Sequence, residues 1–182
     1  NRDDAMRMAV MLKHLWDIPA LTVALVEGGA FGGGVGLAAA CDMAIAIKGA
    51  KFAFSEVKLG LVAATISPYV VAAIGPRRSR RLFSTGEVFS AEQALAFGLV
   101  DEVVDDAAGL AAAKDRVAAA MRACAPGAVD ASKQLVTHII GRHLDQALME
   151  HTARLIASRR VSDEGQAGVR AFLDGAKAPW AE

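Results

Sequence analysis

The sequence of 182 residues has no excess of either charge, because 20 lysines and arginines balance 20 aspartates and glutamates. A chain without net charge creates no overall field that favours nucleic acid, an anionic membrane surface or an acidic partner. No apolar run reaches the roughly 20 residues that span a bilayer, and no charged-then-apolar signal segment opens the chain. The sequence therefore predicts a cytoplasmic protein with neither nucleic acid nor a membrane among its partners.

Cysteine is also scarce, and the two present, Cys41 and Cys124, stand far apart among alanines. This is typical of buried thiols in a reducing compartment, so we expect no disulfide. The four histidines have no acidic or cysteine partners at ligand spacing, which predicts solvated or capping roles and no metal site. No serine stands in a G-x-S-x-G pattern, so a hydrolase nucleophile elbow is not supported.

Hydrophobic residues make up 54% of the sequence, enough for one domain with a sizeable core and a smaller helical extension. Apolar runs predict strands at 20–26, 43–47, 51–55 and 99–104. Because a helical segment at 36–42 lies between the first two, these strands should be parallel with a right-handed crossover. The predicted helices are 5–16, 36–42, 67–75, a helix beginning at Pro76, 90–98, 107–124, 127–140, 143–160 and 163–173. We therefore expect an α/β core over 1–105 and a helical region over 106–182.

The sequence opens at Asn1 with "NRDDAMRMAVMLKHLWDIP", a pattern typical of a helix that is entered partway. We therefore expect further residues to precede Asn1 in the complete protein.

Six glycines fall within "GGAFGGGVG", residues 28–36, between a predicted buried strand and a predicted helix. The first N–H groups of a helix have no acceptor within it, and glycine lets a ligand approach them closely. The segment could thus form an oxyanion hole or a phosphate cradle, or it could only permit tight packing of helix on strand. It does not fit the G-x-x-x-x-G-K-[ST] phosphate loop, because no lysine, serine or threonine follows.

A second candidate is Glu56, which directly follows the predicted strand "KFAFS", residues 51–55. A carboxylate at the end of a buried strand is placed for acid–base chemistry at the edge where open α/β sheets receive ligands. The alternative is a surface glutamate paired with Lys51 or Lys58. The glycine-rich turn about twenty residues earlier, across one strand–helix–strand unit, favours the catalytic interpretation.

With both features, the chain resembles the crotonase, or enoyl-CoA hydratase/isomerase, superfamily. The resemblance rests on "VEGGAFGGGVGLAAACDMAIA", "AKFAFSEVKLGL", "STGEVFSAEQALAFGLVDEVV" and "EGQAGVRAFLDGAKAPW". It implies a ClpP/crotonase core of repeated ββα turns, here without its N-terminal part, and a helical C-terminal region that builds a homotrimer or a hexamer. The stretch "SEVKLGLVAATISPYVVAAIG" is most similar to methylglutaconyl-CoA hydratase-like members.

The resemblance also implies the site. Gly33 supplies one of two backbone N–H groups that stabilise a thioester enolate, while the other belongs to a segment that this sequence does not contain. The substrate is an acyl-CoA, and no metal or separate cofactor is expected. Further positions implied to bind the substrate are Ala30, Phe31, Gly32, Gly36, Ala64 and Thr65, with Phe172 and Lys177 at the CoA end. A terminal helix packed on its own chain, with a solvated lysine, is the alternative for the last two.

Many hydratases of this family use two glutamates, and Glu56 matches the second of them. The first falls on Gly36, which has no side chain to act. Three interpretations follow: a hydratase in which Glu56 and a polar neighbour such as Thr65 or Ser67 position the water, an isomerase with Glu56 as a single proton shuttle, or a non-catalytic member that binds acyl-CoA or RNA. The resemblance to the methylglutaconyl-CoA branch favours the hydratase.

Overall fold

The computed structural model describes residues 1–181, and it divides into two compact units whose boundary falls between Asp115 and Arg116. The helices are α1 (Arg2–Trp16), α2 (Gly33–Ala40), α3 (Ser67–Thr85), α4 (Ala91–Phe97), α5 (Ala107–Arg122), α6 (Pro126–Ile139), α7 (Gln146–Val161) and α8 (Asp163–Leu173). The strands are β1 (Val23–Val26), β2 (Gly29–Phe31), β3 (Met43–Ile47), β4 (Lys51–Ala53), β5 (Phe89–Ser90) and β6 (Glu102–Val104). The predicted boundary between the α/β core and the helical region, which lies between residues 105 and 106, stays a prediction.

The first unit contains two three-stranded sheets. One has the order β1-β3-β6 with all strands parallel, as the strand–helix–strand pattern predicts. Its central strand β3 is apolar on both faces, and Ala44, Ile45 and Ala46 are all buried. The second sheet, β2-β4-β5, was not predicted: strand 51–55 corresponds to β4, but β2 and β5, of three and two residues, are too short to show an alternating pattern.

Several predicted elements are shorter than expected. Strand 20–26 begins only at Val23, and 99–104 only at Glu102. The predicted strand 51–55 ends at Ala53, after which Ser55–Leu59 forms a 3₁₀ turn that closes on Gly60 at φ +73°. Helix 36–42 was also misplaced, since α2 runs from Gly33 to Ala40.

The local stop and start signals are confirmed. The helical run 67–85 is broken at Gly75, whose φ of 78° and ψ of 162° are not helical, and Pro76 starts the second part. Helix α4 begins with a capping box between Ser90 and Gln93 and ends on Gly98 at φ +85°.

Aromatic rings fill the core beneath the second sheet. Phe52 and Phe89 stack with centroids 5.6 Å apart, and Phe54 meets Phe83 edge-on at 4.7 Å. Phe52, Phe54 and Phe89 are all buried, so this cluster holds β4 and β5 together. It fixes the end of β4, from which the chain continues directly to Glu56.

Two expectations about scarce residues need correction in the described part of the chain. Cys41 is half-buried, but Cys124 is exposed, because it lies just beyond the end of α5. His138 and His151 are not simply solvated: their rings stack with centroids 3.8 Å apart, and both are half-buried. Within residues 1–181, no helix is both long and apolar enough to cross a bilayer, and no three potential ligands among His, Cys, Asp and Glu converge on a metal site.

The lowered pKa of His138 predicts that the stability of the helical unit depends on pH. Burial lowers the pKa of His138, and Arg142 and His151 lower it further by repulsion. The unfolded chain therefore binds more protons than the folded one below about pH 6.5, so stability is complete above that pH and falls as the pH decreases through it. Thermal melting at pH 8 and pH 5.5 should show this loss. His138→Gln should flatten the dependence, and an unchanged dependence in this variant would contradict the prediction.

Candidate active site

The glycine segment turns the chain from a strand into a helix within one residue. Strand β2 pairs with β4 in parallel, and the pairing continues into Gly32, whose N–H donates to the Ala53 carbonyl at 2.9 Å. Helix α2 then begins at Gly33. Gly32 has a φ of 52° and a ψ of −117°, a backbone conformation that residues other than glycine rarely adopt. This turn requires glycine.

Two backbone donors are left open at this turn. The N–H groups of Val35 and Gly36 donate to the Gly32 carbonyl, at 3.0 and 3.2 Å. The N–H groups of Gly33 and Gly34 have no acceptor among residues 1–181, and no side chain caps the helix. The start of a helix also carries partial positive charge. The turn can therefore receive an oxygen on which negative charge develops.

The Glu56 carboxylate lies against the same turn. A Cβ on Gly32 would stand 2.9 Å from Oε1 of Glu56, so the absence of a side chain at Gly32 makes room for the carboxylate. Oε2 of Glu56 is buried and has no hydrogen-bond partner in the described chain. A buried acceptor without a donor lowers the stability of the folded protein. Such an oxygen is therefore expected to accept a hydrogen bond from a ligand or a water molecule.

The alternative interpretation of Glu56 as a surface ion pair does not fit the structure. No salt bridge joins it to Lys51 or Lys58 in residues 1–181. The Lys58 side chain instead extends over Gly86, with its Cε 3.1 Å from where a Cβ of Gly86 would lie. The structure thus brings the open donors of α2 and the Glu56 carboxylate together, as the sequence pattern predicted.

Two side chains that sequence reasoning missed cover Gly33 and Gly36 of α2. Met8 of α1 places its terminal Cε 2.9 Å from the Cβ position of Gly33. Ile66, which precedes α3, places its Cγ2 only 2.0 Å from the Cβ position of Gly36. No spacing rule could have identified these partners, because Met8 and Ile66 are 25 and 30 residues from the glycines they meet.

The Gly36 contact explains physically why no second carboxylate stands there. Even a methyl group at position 36 would overlap the Ile66 side chain, so a glutamate has no room without displacing α3. Gly36→Ala should lower the free energy of unfolding by about 1–3 kcal/mol through overpacking. Urea denaturation measures this, with Gly34→Ala as the matched control, since its Cβ would lie 3.8 Å from the Ala30 Cβ in ordinary contact. Equal stability of both variants would contradict the close packing.

The other predicted substrate-binding residues lie on the segments that flank the turn. Ala30 is buried in β2, whereas Phe31 is half-exposed and lays its ring over Gly29. Ala64 and Thr65 directly precede Ile66, and Thr65 is half-buried. The Ser67 hydroxyl donates to the Ala64 carbonyl at 2.8 Å, so its proton is already engaged and Thr65 is the better candidate to orient a water molecule. Their contact with substrate stays a prediction.

Phe172 and Lys177, predicted to contact CoA, belong to the second unit. Phe172 is near the end of α8 with 83% of its surface exposed, and Lys177 is exposed in the segment that follows. Trp180 packs on Gly168 and donates its indole N–H to the Ala123 carbonyl at 3.2 Å, which holds the C-terminal segment on its own unit. The role of Phe172 and Lys177 at CoA stays a prediction.

Known proteins place this arrangement in one family. The family model for enoyl-CoA hydratase/isomerase matches residues 4–182. A crystal structure of an enoyl-CoA hydratase from Shewanella pealeana superposes with a TM-score of 0.95 and 39% identity, over 99% of this chain and 67% of that one. The enoyl-CoA hydratase ACTT6 of Alternaria alternata is 32% identical over 96% of this chain and 60% of its own length. This chain belongs to the enoyl-CoA hydratase/isomerase family and has the crotonase fold, so that expectation is confirmed.

A further relative is named for a particular substrate. The (E)-benzylidenesuccinyl-CoA hydratase of Thauera aromatica is 38% identical over 113 residues, which are 62% of this chain and 44% of that protein. Across these three relatives, this chain corresponds to between 44% and 67% of the length of the protein it matches.

Proposed function

We propose that this protein adds water across the double bond of a 2-enoyl-CoA. The observation that carries the proposal is the contact between Glu56 and Gly32. The carboxylate, whose Oε2 is buried without a partner in the described chain, lies against the residue that directly precedes the open N–H of Gly33. A polarised thioester and a proton-transferring group, held together, are what this addition requires. Membership of the enoyl-CoA hydratase/isomerase family supports the same class of reaction.

In the proposed mechanism, the thioester oxygen accepts a hydrogen bond from the Gly33 N–H. Water attacks the β-carbon, the electron pair of the double bond shifts toward the thioester oxygen, and the oxygen carries developing negative charge. A preorganised donor at such an oxygen contributes about 3–4 kcal/mol to the transition state. The second donor is the one that the family resemblance assigns to a segment outside this sequence.

Glu56 carries out both proton transfers of the addition. Its carboxylate takes a proton from the attacking water, the hydroxyl bonds to the β-carbon, and a proton is returned to the α-carbon as the enolate collapses. A single carboxylate can perform both transfers when it lies on one side of the substrate, which makes the addition syn. Thr65, half-buried and without a hydrogen bond in the described chain, is the proposed polar neighbour that orients the water.

For the substrate, we propose a short enoyl-CoA that is branched or carries a carboxylate, such as methylglutaconyl-CoA. The resemblance of residues 55–75 to methylglutaconyl-CoA hydratase-like members supports this choice. So does the similarity to the Thauera aromatica enzyme, because a benzylidenesuccinyl group also carries a free carboxylate. Coenzyme A is then part of the substrate, and the absence of a separate cofactor or metal stays a prediction.

An enoyl-CoA isomerase is the second candidate, and the packing of Ile66 on Gly36 favours it. That packing leaves Glu56 as the carboxylate at the turn, and moving a double bond needs only one base. Such an enzyme would move a proton from one carbon to another and incorporate no oxygen from water.

Isotopic labelling separates the two functions. The protein is incubated in heavy-oxygen water with crotonyl-CoA, methylglutaconyl-CoA and a 3-enoyl-CoA, and the products are analysed by mass spectrometry. A hydratase yields a 3-hydroxyacyl-CoA that contains the heavy oxygen. An isomerase converts only the 3-enoyl-CoA, with no heavy oxygen in the product, and this result would overturn the leading proposal.

We further propose a homotrimer or hexamer located in the cytoplasm. Large apolar side chains at the surface of the helical unit support self-association, since patches of this kind mark interfaces. The most exposed are Leu144, Val161, Phe172 and Leu173. Sedimentation equilibrium would measure the mass of the assembly, and a monomer at micromolar concentration would contradict the proposal.

A further inference from the structure

We propose that Ile66 is a specificity-determining residue that limits the size of the acyl group, because its side chain is seated on Gly36 one helical turn from the Glu56 carboxylate. The proposal rests on the acyl-CoA site proposed above and assigns a specificity role to a residue that sequence reasoning did not identify. It begins from the glycines of α2 and from what lies on each of them.

Glu56 and Ile66 are neighbours along α2. Glu56 lies on Gly32, and Ile66 lies on Gly36, whose N–H donates to the Gly32 carbonyl at 3.2 Å. Since that bond spans one turn, the two contacts are separated by about 5.4 Å along the helix. An acyl group whose reacting carbons lie at Glu56 and whose chain extends along α2 would reach Ile66 within a few further carbons.

The Ile66 side chain is held rigidly in place. Its Cβ, the root of the side chain, is 2.6 Å from the position that a Cβ of residue 36 would take, so rotation about the side-chain bonds cannot move Ile66 out of that space. The side chain is β-branched and only 2% exposed. The Ile66 backbone is fixed as well, because its carbonyl accepts from the Val70 N–H at 3.2 Å in the first turn of α3.

Met8 covers the same face of α2 but should not set the limit. Positions 33 and 36 are three residues apart and so share one face of the helix. The only Met8 atom near the Cβ position of Gly33 is Cε, the far end of an unbranched and flexible side chain. A ligand can move that methyl group aside, whereas it cannot move the root of Ile66.

The test measures binding of two saturated acyl-CoAs, butyryl-CoA and octanoyl-CoA, by isothermal titration calorimetry. Neither can be hydrated, so the readout does not depend on turnover. The variants are Ile66→Ala and Ile66→Val, with Ile74→Ala as the matched control, because Ile74 is a buried isoleucine on α3 that has no contact with a glycine of α2.

Ile66→Ala should improve the affinity for octanoyl-CoA relative to butyryl-CoA by about tenfold or more, since each methylene accommodated in an apolar pocket changes binding by a factor of this order. Ile66→Val should change the ratio in the same direction by a smaller factor, and Ile74→Ala should leave it within twofold. Adding Gly36→Ala to Ile66→Ala puts a methyl group back into the vacated space, so this double variant should return part of the way to the wild-type ratio.

A wild-type ratio in folded Ile66→Ala would overturn the proposal, and if that variant fails to fold, the same result in Ile66→Val would do so. Failure of the proposed function gives a different pattern: wild-type protein binds both acyl-CoAs but hydrates no enoyl-CoA, while the ratio still responds to Ile66. Absence of binding to either acyl-CoA would contradict both proposals.

Discussion

Glu56→Gln is expected to lower the rate of hydration by about 100- to 10,000-fold, the usual contribution of a positioned acid–base group. Glutamine keeps the size and shape of the side chain but cannot exchange a proton with water or with the α-carbon. The substitution removes no hydrogen bond from the protein, because Oε2 of Glu56 has no partner in the described residues. Folding stability should therefore remain close to that of the wild type.

Steady-state kinetics with the preferred enoyl-CoA, together with thermal melting, measures both effects. Glu150→Gln is the matched control, since this exposed glutamate on α7 pairs with neighbours on its own helix, Gln146 and Arg154. If Glu56→Gln keeps hydration within a few-fold of the wild-type rate, the role assigned to Glu56 is wrong.

Gly32→Ala should produce the second large effect, with turnover reduced by about 100-fold or more, the cost of misplacing a reacting group by about 1 Å. The new methyl group would stand 2.9 Å from Oε1 of Glu56 and push the carboxylate away from the turn. The backbone at Gly32 also has a φ of 52°, so alanine there adds about 1–3 kcal/mol of strain. This variant should lose both activity and stability.

Gly34→Ala is the control that separates the effect of position 32 from the general effect of adding a methyl group to this segment. Its Cβ would make ordinary contact with the Ala30 Cβ at 3.8 Å, and Gly34 is already helical. Alanine in a helix is more stable than glycine by up to about 1 kcal/mol, so folding should be unharmed. Kinetics and denaturation of the two variants, compared side by side, test the account. Wild-type turnover in Gly32→Ala would show that Glu56 does not act from its contact with this glycine.

The sequence was most informative where local rules operate. The glycines at 32–34 indicated a turn into a helix with open N–H groups, and the structure shows that turn. Glu56 was expected near it because one strand–helix–strand unit connects the two, and the parallel pairing of β1 with β3 confirms the unit. Gly75 with Pro76, and Ser90 with Gln93, act within a few residues and were identified correctly.

The sequence was least informative where distant segments meet. Strand β2 has three residues and β5 has two, so the second sheet exists through pairing and not through any local pattern. Met8 and Ile66 contact Gly33 and Gly36 across 25 and 30 residues, and only the packing of α1 and α3 on α2 brings them there. At Gly36 the sequence showed only that a carboxylate is missing. The structure shows that the Ile66 side chain packs on this glycine.

A crystal structure of the protein with bound butyryl-CoA tests the central claim most directly. We predict that the thioester oxygen lies about 3 Å from the Gly33 nitrogen, the distance of a donor that stabilises an oxyanion. We also predict that the second and third carbons of the acyl chain lie beside the Glu56 carboxylate. A thioester bound away from the start of α2, or acyl carbons out of reach of Glu56, would contradict this account of the site.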